Sequence, residues 1–382
     1  MTRTAKIIIV GSGPAGIATA LSIVRQKPEF RDDILILDKA THPRHKLCGG
    51  GLTPWAEVTL SILDMQVDVP SFRVERIAFY FKDEPIWFDQ PDLLRIVRRD
   101  EFDAALVQRA REKGITVLED TAVQHITVHD EAVELQTSRG EFSCEVLVGA
   151  DGAKSTVRRQ LFREQTSRVS RLMEVVVPVE GIEVPEFSQR MAAFDFREIR
   201  HGLQGYLWDF PSLIEGKPHL NIGVFDSRIF PKKPRADLPA LLRERLEKRG
   251  IDPDSVPLQG HPERWFHPSQ ECSRPRVLLV GDASGAEPWL GEGISVALGY
   301  GPVAAATIKR AYASGDFSFA EYKKIISRSS LGWHLNRNRV IARYFYHPAA
   351  SRMLPAVGSI LSWYIERKYG VVKEEELELA LH

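Results

Sequence analysis

The segment Ile7–Gly16 (IIIVGSGPAG) decides the fold, because a run of apolar residues leads directly into a glycine-rich turn. The pattern predicts a buried strand, a tight turn and a helix. Gly11 permits the turn, and Gly13 allows a pyrophosphate to approach the backbone. Gly16 lets the helix pack closely on the strand, and the start of the helix offers free N–H groups to phosphates. The segment therefore predicts a dinucleotide-binding site.

Two further features support this interpretation. Asp38 ends the next apolar segment, Ile34–Asp38 (ILILD), at the spacing where a carboxylate accepts hydrogen bonds from ribose hydroxyls. A second strand-to-helix segment, Val277–Ile294 (VLLVGDASGAEPWLGEGI), lies far along the chain. Its position predicts a discontinuous nucleotide domain whose last strand follows an inserted region.

Composition restricts the functional class. The chain has 382 residues, 43% hydrophobic and 27% charged, which is enough for two or three domains. The 51 basic and 51 acidic residues give a net charge of zero, so nothing indicates nucleic-acid binding. Cys48, Cys144 and Cys272 show neither a disulfide framework nor zinc spacing. We therefore expect no metal site and a cytoplasmic location. At most peripheral membrane contact is expected, since no apolar run reaches the roughly 20 residues of a membrane span.

The order of the predicted elements indicates a mixed α/β fold. A Rossmann-like domain is expected to comprise residues 1–169 and 263–317, with residues 170–262 inserted as an antiparallel sheet for the substrate. Residues 74–98 are expected to contribute to the substrate side, and residues 318–382 to be mostly helical. The cleft between two such layers is a common location for a ligand.

Several motifs together identify a family. Arg99–Asp103 (RDEFD) opens a predicted helix, and Leu147–Arg158 (LVGADGAKSTVR) combines a strand with an Asp–Gly turn. With the two glycine-containing segments, they resemble the flavoprotein superfamily that shares the para-hydroxybenzoate hydroxylase fold. The resemblance extends over nearly the whole chain and implies FAD as the cofactor.

Two segments narrow the resemblance. Lys46–Leu52 (KLCGGGL) resembles the cysteine–glycine segment of geranylgeranyl reductases, and Tyr206–Pro211 (YLWDFP) is similar to their Tyr-x-Trp-x-Phe-Pro motif. The Trp-x-Trp-x-Ile-Pro motif of the related halogenases is not found in the sequence. The spacing from Asp282 to Pro288 is one residue shorter than is usual in the reductases, so the loop beside the flavin is expected to differ in shape.

The resemblance, with the glycine pattern, assigns residues to FAD. The expected cofactor-binding residues are Gly11, Gly13, Ala15, Gly16, Asp38, Cys48, Gly49, Gly51, Arg99, Val123, Asp282, Gly293 and Ile294. Asp282 is expected to accept a hydrogen bond from a ribityl hydroxyl, with an ordinary helix cap as the alternative. Gly293 and Ile294 are expected to present N–H groups to the isoalloxazine, whose reduced form is anionic.

Candidate catalytic and substrate residues follow from the same segments. Cys48 is either a contact or proton donor at the flavin or an inert small residue, and Glu292 is either an acid or a carboxylate that stabilises a helix start. Tyr206, Trp208 and Phe210 alternate along a strand and therefore share a face. With Trp289 they are expected to line a pocket for an apolar substrate, although the same spacing is typical of ordinary core.

The expected cofactor and site residues predict one enzymatic function and leave two alternatives open. We expect an FAD-dependent oxidoreductase that reduces C=C bonds of a prenyl or similar apolar substrate, small molecule or lipid. An FAD-dependent monooxygenase that hydroxylates an aromatic group on a small molecule or partner protein is the first alternative, and a non-catalytic FAD-binding protein the second. Since no second glycine-rich nucleotide segment is present, electrons are expected from transiently bound NAD(P)H or a reduced electron-transfer protein. The segment 347–370 is open to three interpretations: membrane contact, closure of the substrate tunnel, or core packing.

Overall fold

The computed structural model describes residues 2–163, 168–180 and 184–347, which form two sheets of eight strands each. The strands are β1 (Arg3–Val10), β2 (Ile34–Leu37), β3 (Gly51–Leu52), β4 (Ser71–Tyr80), β5 (Pro85–Val97), β6 (Thr116–Leu118), β7 (Val123–Val128), β8 (Val133–Thr137), β9 (Gly140–Gly149), β10 (Val169–Pro178), β11 (Met191–Asp195), β12 (Gly205–Ile214), β13 (Lys217–Asp226), β14 (Gln259–Arg264), β15 (Ser273–Arg274) and β16 (Val277–Leu279). The α-helices are α1 (Pro14–Gln26), α2 (Pro54–Ile62), α3 (Arg99–Glu112), α4 (Thr156–Leu161), α5 (Pro185–Ser188), α6 (Leu238–Lys248), α7 (Gly293–Ser314), α8 (Tyr322–Arg328) and α9 (Ser330–Phe345).

The first sheet has the strand order β15-β16-β9-β1-β2-β6 and is parallel from β16 to β6. Its central strand, β1, contains Ile7, Ile8 and Ile9, none of which is exposed. Such a continuous apolar run is typical of a parallel strand that is covered on both faces. The antiparallel hairpin β7–β8 joins this sheet through β9. As predicted, strand β16 returns to the sheet after a long intervening segment.

The second sheet has the order β14-β10-β13-β12-β11-β4-β5-β3. The strands are antiparallel except that β11 runs parallel to β4, with Met191 opposite Arg76. Strands β10 to β14 come from the predicted insert and its edges, whereas β3, β4 and β5 precede it in the chain. Strand β14 also crosses the boundary expected after residue 262. The division into domains stays a prediction, but residues from both parts of the chain build this sheet.

Helices α1 and α7 pack closely together beside the first sheet. A Cβ on Gly301 of α7 would lie 2.6 Å from the carbonyl carbon of Ala18 in α1, so only a residue without a side chain fits there. Helices α8 and α9 follow α7, as expected for the carboxy-terminal region. Most of the segment 347–370 lies outside the described residues. None of the helices in the described part of the chain combines the length and apolar character needed to span a bilayer.

Replacing Gly16 with alanine is expected to destabilise the protein. A Cβ at this position would lie 1.9 Å from the carbonyl oxygen of Gly11, a backbone atom that cannot move without disturbing the turn. We expect the free energy of unfolding to fall by about 1–3 kcal/mol, as for other overpacked sites. Chemical denaturation measures this change. Gly13→Ala is the control, because its Cβ would meet only the Arg44 side chain, at 3.6 Å; equal stability of the two variants would contradict the packing role of Gly16.

Candidate cofactor and substrate site

A cavity of about 680 Å³ is lined by residues from both sheets. Its size is within the range of known small-molecule and cofactor sites. The carboxyl end of β1 and the glycine turn form one wall, and β12 of the second sheet contributes to the opposite wall. The cavity is therefore at the place between the layers where the sequence predicted a ligand.

Two helices begin at this cavity without a side-chain cap. Gly13 and Ala15 at the start of α1 line it, and so do Gly293 and Ile294 at the start of α7. The first N–H groups of a helix have no partner within the helix, and the helix dipole makes them attractive to negative charge. The two helix starts therefore fit the two anionic parts of reduced FAD, the pyrophosphate and the edge of the isoalloxazine.

All but one of the residues predicted to bind the cofactor line this cavity. The lining residues are Gly11, Gly13, Ala15, Asp38, Cys48, Gly49, Gly51, Arg99, Val123, Asp282, Gly293 and Ile294. Gly16 does not line the cavity, because it faces the Gly11 carbonyl in the packing between α1 and the turn. The other predicted residues, Glu292, Tyr206, Trp208, Phe210 and Trp289, also line the cavity.

Asp38 is fixed beside the glycine turn. Its Oδ2 accepts hydrogen bonds from the backbone N–H of Ser12 at 2.7 Å and from the Ser12 hydroxyl at 2.6 Å. Its Oδ1 accepts a bond from the N–H of Ala40 at 2.9 Å. These bonds hold the carboxylate at the end of β2, where a ribose would lie if its pyrophosphate occupied the start of α1.

Arg99 belongs to the cavity wall, and its neighbour Arg98 pairs with Asp100 instead. The Arg99 guanidinium donates two hydrogen bonds of 2.8 Å to the carboxylate of Asp103, which is fully buried. Arg44 donates a further 2.8 Å bond to the same carboxylate. Asp103 thus holds two cations at one side of the cavity, a suitable arrangement for the phosphates of a nucleotide.

The glycines that follow Cys48 are packed in a defined conformation. Gly50 has φ +77°, and a Cβ there would lie 2.0 Å from the Val97 carbonyl oxygen. A Cβ on Gly49 would lie 3.1 Å from ring atoms of Phe210, which is too close for an unstrained contact. Cys48 is half-buried, and its N–H donates a 2.9 Å hydrogen bond to Glu174. These contacts hold the glycine segment against β5 and β12.

Tyr206, Trp208 and Phe210 form an aromatic wall on β12. The Tyr206 hydroxyl donates a 2.5 Å bond to the carbonyl of Leu290, and the Trp208 indole N–H donates a 2.7 Å bond to Asn221. Burial raises the pKa of Tyr206 well above its ordinary value, so the phenol stays protonated. Because the polar atoms of both rings have partners, the wall is apolar toward a ligand.

Glu263 on β14 is a cavity residue that the sequence did not reveal. Its side chain is 6% exposed, and Oε2 has no hydrogen-bond partner among the described residues. A Cβ on Gly293 would lie 3.0 Å from Glu263 Oε1 and 3.9 Å from Asp282 Oδ1, so both carboxyls face the start of α7. Burial raises the pKa of Glu263 well above its ordinary value, and the charges of Asp282 and Glu287 raise it further. Burial also raises the pKa of Asp282.

Two neighbouring glutamates have structural partners. Glu287 is fully buried and accepts hydrogen bonds from the N–H groups of Trp289, Leu290 and Glu292 at 2.7, 2.8 and 2.9 Å. Glu292 precedes α7 but makes no side-chain cap; it accepts a 2.6 Å bond from the Thr53 hydroxyl and lies 3.3 Å from His334. Stabilisation of the helix start by the charge of Glu292, as considered from the sequence, does not require such a cap and stays a prediction. Asp282 lies in a short 3₁₀ segment, Gly281–Ala283, and does not cap α7 either.

Basic residues that the sequence analysis did not assign complete the cavity. Lys46, Lys154 and His261 line it together with Arg44 and Arg99. Burial, together with the charges of Lys46, Arg99 and Lys154, lowers the pKa of His261 to about 3, so this imidazole is neutral near physiological pH. Lys46 and Lys154 lie within the quoted segments Lys46–Leu52 and Leu147–Arg158, whereas no quoted motif includes His261.

Known proteins resemble this chain over most of its length. The FAD-binding domain family matches residues 73–200. The menaquinone reductase of Mycolicibacterium smegmatis is 29% identical over 330 residues, which cover 80% of this chain and 76% of that protein. The tryptophan 2-halogenase of Chondromyces crocatus is 24% identical over 375 residues, which cover 90% and 68% of the two chains.

A solved structure shows the same fold. The geranylgeranyl bacteriochlorophyll reductase-like protein of Thermoplasma acidophilum superposes with a TM-score of 0.78 at 21% identity, over 95% of this chain and 92% of that chain. The fold, the FAD-binding domain and the two uncapped helix starts at one cavity agree with the family that the sequence motifs indicated. The chain contains the FAD-binding domain and is an FAD-dependent oxidoreductase that is similar to the geranylgeranyl reductases.

Proposed function

We propose that this protein reduces carbon–carbon double bonds in an apolar, prenyl-type substrate. The observation that carries the proposal is the aromatic wall on β12, which faces the same cavity as the start of α7. FAD, when bound in its reduced form, supplies the hydride for such a reaction. The relatives named as menaquinone reductase and geranylgeranyl diphosphate reductase support the substrate class.

The chain's own groups would hold the cofactor. The start of α1 and the Asp103-bound guanidiniums would bind the pyrophosphate, and Asp38 would accept hydrogen bonds from the adenosine ribose. The N–H groups of Gly293 and Ile294 would stabilise negative charge on the reduced ring system. Asp282 and the backbone of Val123 line the cavity between these ends, where the ribityl chain would pass.

The aromatic wall would position the substrate and exclude water. Tyr206, Trp208 and Phe210 present ring faces whose polar atoms are already bonded within the protein. Trp289, which is 2% exposed, adds a fourth ring beside the loop that leads into α7. An alkyl or prenyl chain gains free energy by leaving water for such a surface, whereas a polar substrate would lose hydrogen bonds to water.

Alkene reduction also requires a proton for the second carbon atom. Glu263 would supply it, because burial raises the pKa of its carboxyl well above the ordinary value and the side chain lines the cavity. Cys48 also lines the cavity and is the second candidate, whereas the Glu292 carboxylate is already bonded to Thr53. Water that re-protonates the acid after each turnover completes the balance of one hydride and one proton per double bond.

The electron donor is proposed to be external. We propose NAD(P)H that binds transiently, or a reduced electron-transfer protein, as the source of the electrons.

A monooxygenase acting on an aromatic group is the second candidate function, favoured by the similarity to a tryptophan 2-halogenase.

Anaerobic reoxidation distinguishes these two functions. We expect the photoreduced, FAD-loaded protein to be reoxidised without oxygen by a prenyl lipid that has no quinone ring, and mass spectrometry to show two hydrogen atoms added per double bond. A fully saturated analogue of the same lipid is the control and is expected to leave the flavin reduced. Turnover only in air, with one oxygen atom added to the product, would assign the protein to the monooxygenases instead.

Glu263→Gln is expected to change how stability depends on pH. Because the folded-state pKa of Glu263 lies well above its ordinary value of 4.5, the folded chain keeps a proton that the unfolded chain loses as the pH rises past that value. Wild-type stability therefore falls with rising pH in this window, and glutamine, which cannot ionise, removes that contribution. We expect the Tm of the variant minus that of the wild type to increase between about pH 5 and about pH 8.

Two further measurements make this prediction specific. The exposed residue Glu131 provides the matched control, since Glu131→Gln should leave the Tm difference independent of pH. In the FAD-loaded protein, the reduction potential of the flavin should follow the titration of Glu263 and lose that step in Glu263→Gln. A constant Tm difference across the pH range would show that Glu263 ionises normally and cannot be the proton source.

A further inference from the structure

The helices after α7 concentrate positive charge. The chain as a whole has no net charge, but residues 322–347 contain six basic and no acidic residues. The six are Lys323, Lys324, Arg328, Arg337, Arg339 and Arg343. They lie on α8 and α9, so this part of the surface attracts anions although the protein as a whole is neutral.

The outer side of α9 also exposes large apolar side chains. Trp333, Val340 and Tyr344 are 62%, 44% and 75% exposed, and they are three of the five exposed large hydrophobic residues in the described part of the chain. Their spacing of seven and four residues puts them on one side of the helix. The opposite side is buried through residues that include Leu335 and Ala342. We call the side formed by Trp333, Val340 and Tyr344 the outer face of α9.

The composition of this face matches a membrane–water interface. Tryptophan and tyrosine prefer that boundary, where an apolar ring and a polar tip are both accommodated. The guanidinium of Arg337 lies 4.1 Å from the centre of the Trp333 ring, so a cation accompanies the most prominent ring. Basic residues at the border of an apolar face are typical of helices that lie on anionic lipid.

A small basic pocket borders the outer face. It has a volume of about 110 Å³, and Arg168, Arg339, Arg343, His267 and Trp265 are among the residues that line it. No carboxylate is among its lining residues in the described chain. The Nε of Arg339 and the indole N–H of Trp265, whose side chain is 5% exposed, are buried donors without an acceptor among the described residues. An anion or another acceptor in the pocket would satisfy these two donors.

The size and charge of the pocket are compatible with a phosphate group. A volume of about 110 Å³ is several times what one water molecule needs, so a phosphate group has room to enter. Burial and the charge of Arg343 lower the pKa of Arg339, and burial and the charge of Arg339 lower that of Arg168. An anion in the pocket would relieve this repulsion, and guanidinium groups bind phosphate oxygens with favourable geometry.

We propose that the outer face of α9 and the adjoining basic pocket dock the protein on an anionic phospholipid surface. The lipid phosphate occupies the pocket beside Arg339 and Arg343, and Trp333, Val340 and Tyr344 enter the boundary between headgroups and acyl chains. The charge of α8 and α9 supplies the long-range attraction, because anionic lipids concentrate cations at the membrane. This docking does not depend on the reaction proposed above, and its test uses neither substrate nor reductant.

Vesicle co-sedimentation of the full-length, FAD-loaded protein tests the proposal. We expect binding to vesicles of phosphatidylcholine mixed with phosphatidylglycerol, weaker binding to pure phosphatidylcholine, and weaker binding to both at high salt. Trp333→Ser and Tyr344→Ser should each weaken binding roughly tenfold, in keeping with the loss of one buried apolar side chain. The control is Trp87→Ser on β5, which removes a tryptophan that is 39% exposed and has the Arg76 guanidinium 4.5 Å from its ring centre. Equal effects at Trp333 and Trp87 would overturn the assignment of the outer face.

A second comparison isolates the pocket. Arg339→Gln should weaken vesicle binding more than Lys324→Gln, although each removes one charge, because Lys324 lies on α8 and pairs with Glu321 at 2.7 Å. Inorganic phosphate should raise the Tm of the wild type but not of Arg339→Gln, and it should compete with the vesicles. If phosphate binds but the vesicles do not, the ligand is a soluble phosphate and the membrane proposal is wrong. The remaining possibility is that a second copy of the chain covers the outer face, and sedimentation velocity tests it. A dimer in the wild type that Trp333→Ser dissociates would assign the face to that second copy.

Discussion

The close approach of α1 to its neighbours is the constraint on which the site depends. A Cβ on Gly16 would lie 1.9 Å from the Gly11 carbonyl oxygen, and one on Gly301 would lie 2.6 Å from the Ala18 carbonyl carbon. Glycine at these two positions allows α1 to pack against both the turn after β1 and α7. As a result the amino-terminal ends of α1 and α7 open into one cavity, where both dipoles would act on a bound dinucleotide.

The carboxyl groups opposite the start of α7 are compatible with an anionic cofactor only if they are not all ionised. Glu263 and Asp282 both face Gly293, where the reduced ring system is proposed to lie. Burial raises the pKa of both groups, and Glu263 is raised well above its ordinary value. The raised pKa extends the pH range over which Glu263 holds its proton, and a protonated Glu263 adds no negative charge beside the helix start. Burial raises the pKa of Asp282, but the positive charges of Lys46 and Arg99 lower it. Asp282 is therefore expected to ionise more readily than Glu263.

The sequence could predict those parts of the site that local chain geometry determines. The turn at Gly11, the acid at Asp38 and the glycines at 49–51 each lie in a short segment whose pattern carries its own structural consequence. Glu263 and His261 could not be found in this way, because they reach the cavity only through the pairing of β14 with β10. The parallel pairing of β4 with β11 is similarly non-local, and it explains why strands before the predicted insert join the second sheet.

Helix α9 connects the proposed docking surface with the cavity. On its inner side the Asn338 amide donates a 3.3 Å hydrogen bond to Glu287, which holds the loop leading into α7. Just after the helix, the Tyr346 hydroxyl donates a 2.5 Å bond to the carbonyl of Trp289 in the same loop. One helix therefore has an outer face that is proposed to meet a membrane and an inner face that fixes part of the cavity wall. If the substrate resides in lipid, this arrangement gives a physical reason for the outer face of α9 and the cavity to occur together. A protein held at the interface can take up an apolar chain with little exposure to water, and bonds from the docked helix maintain the loop that meets it.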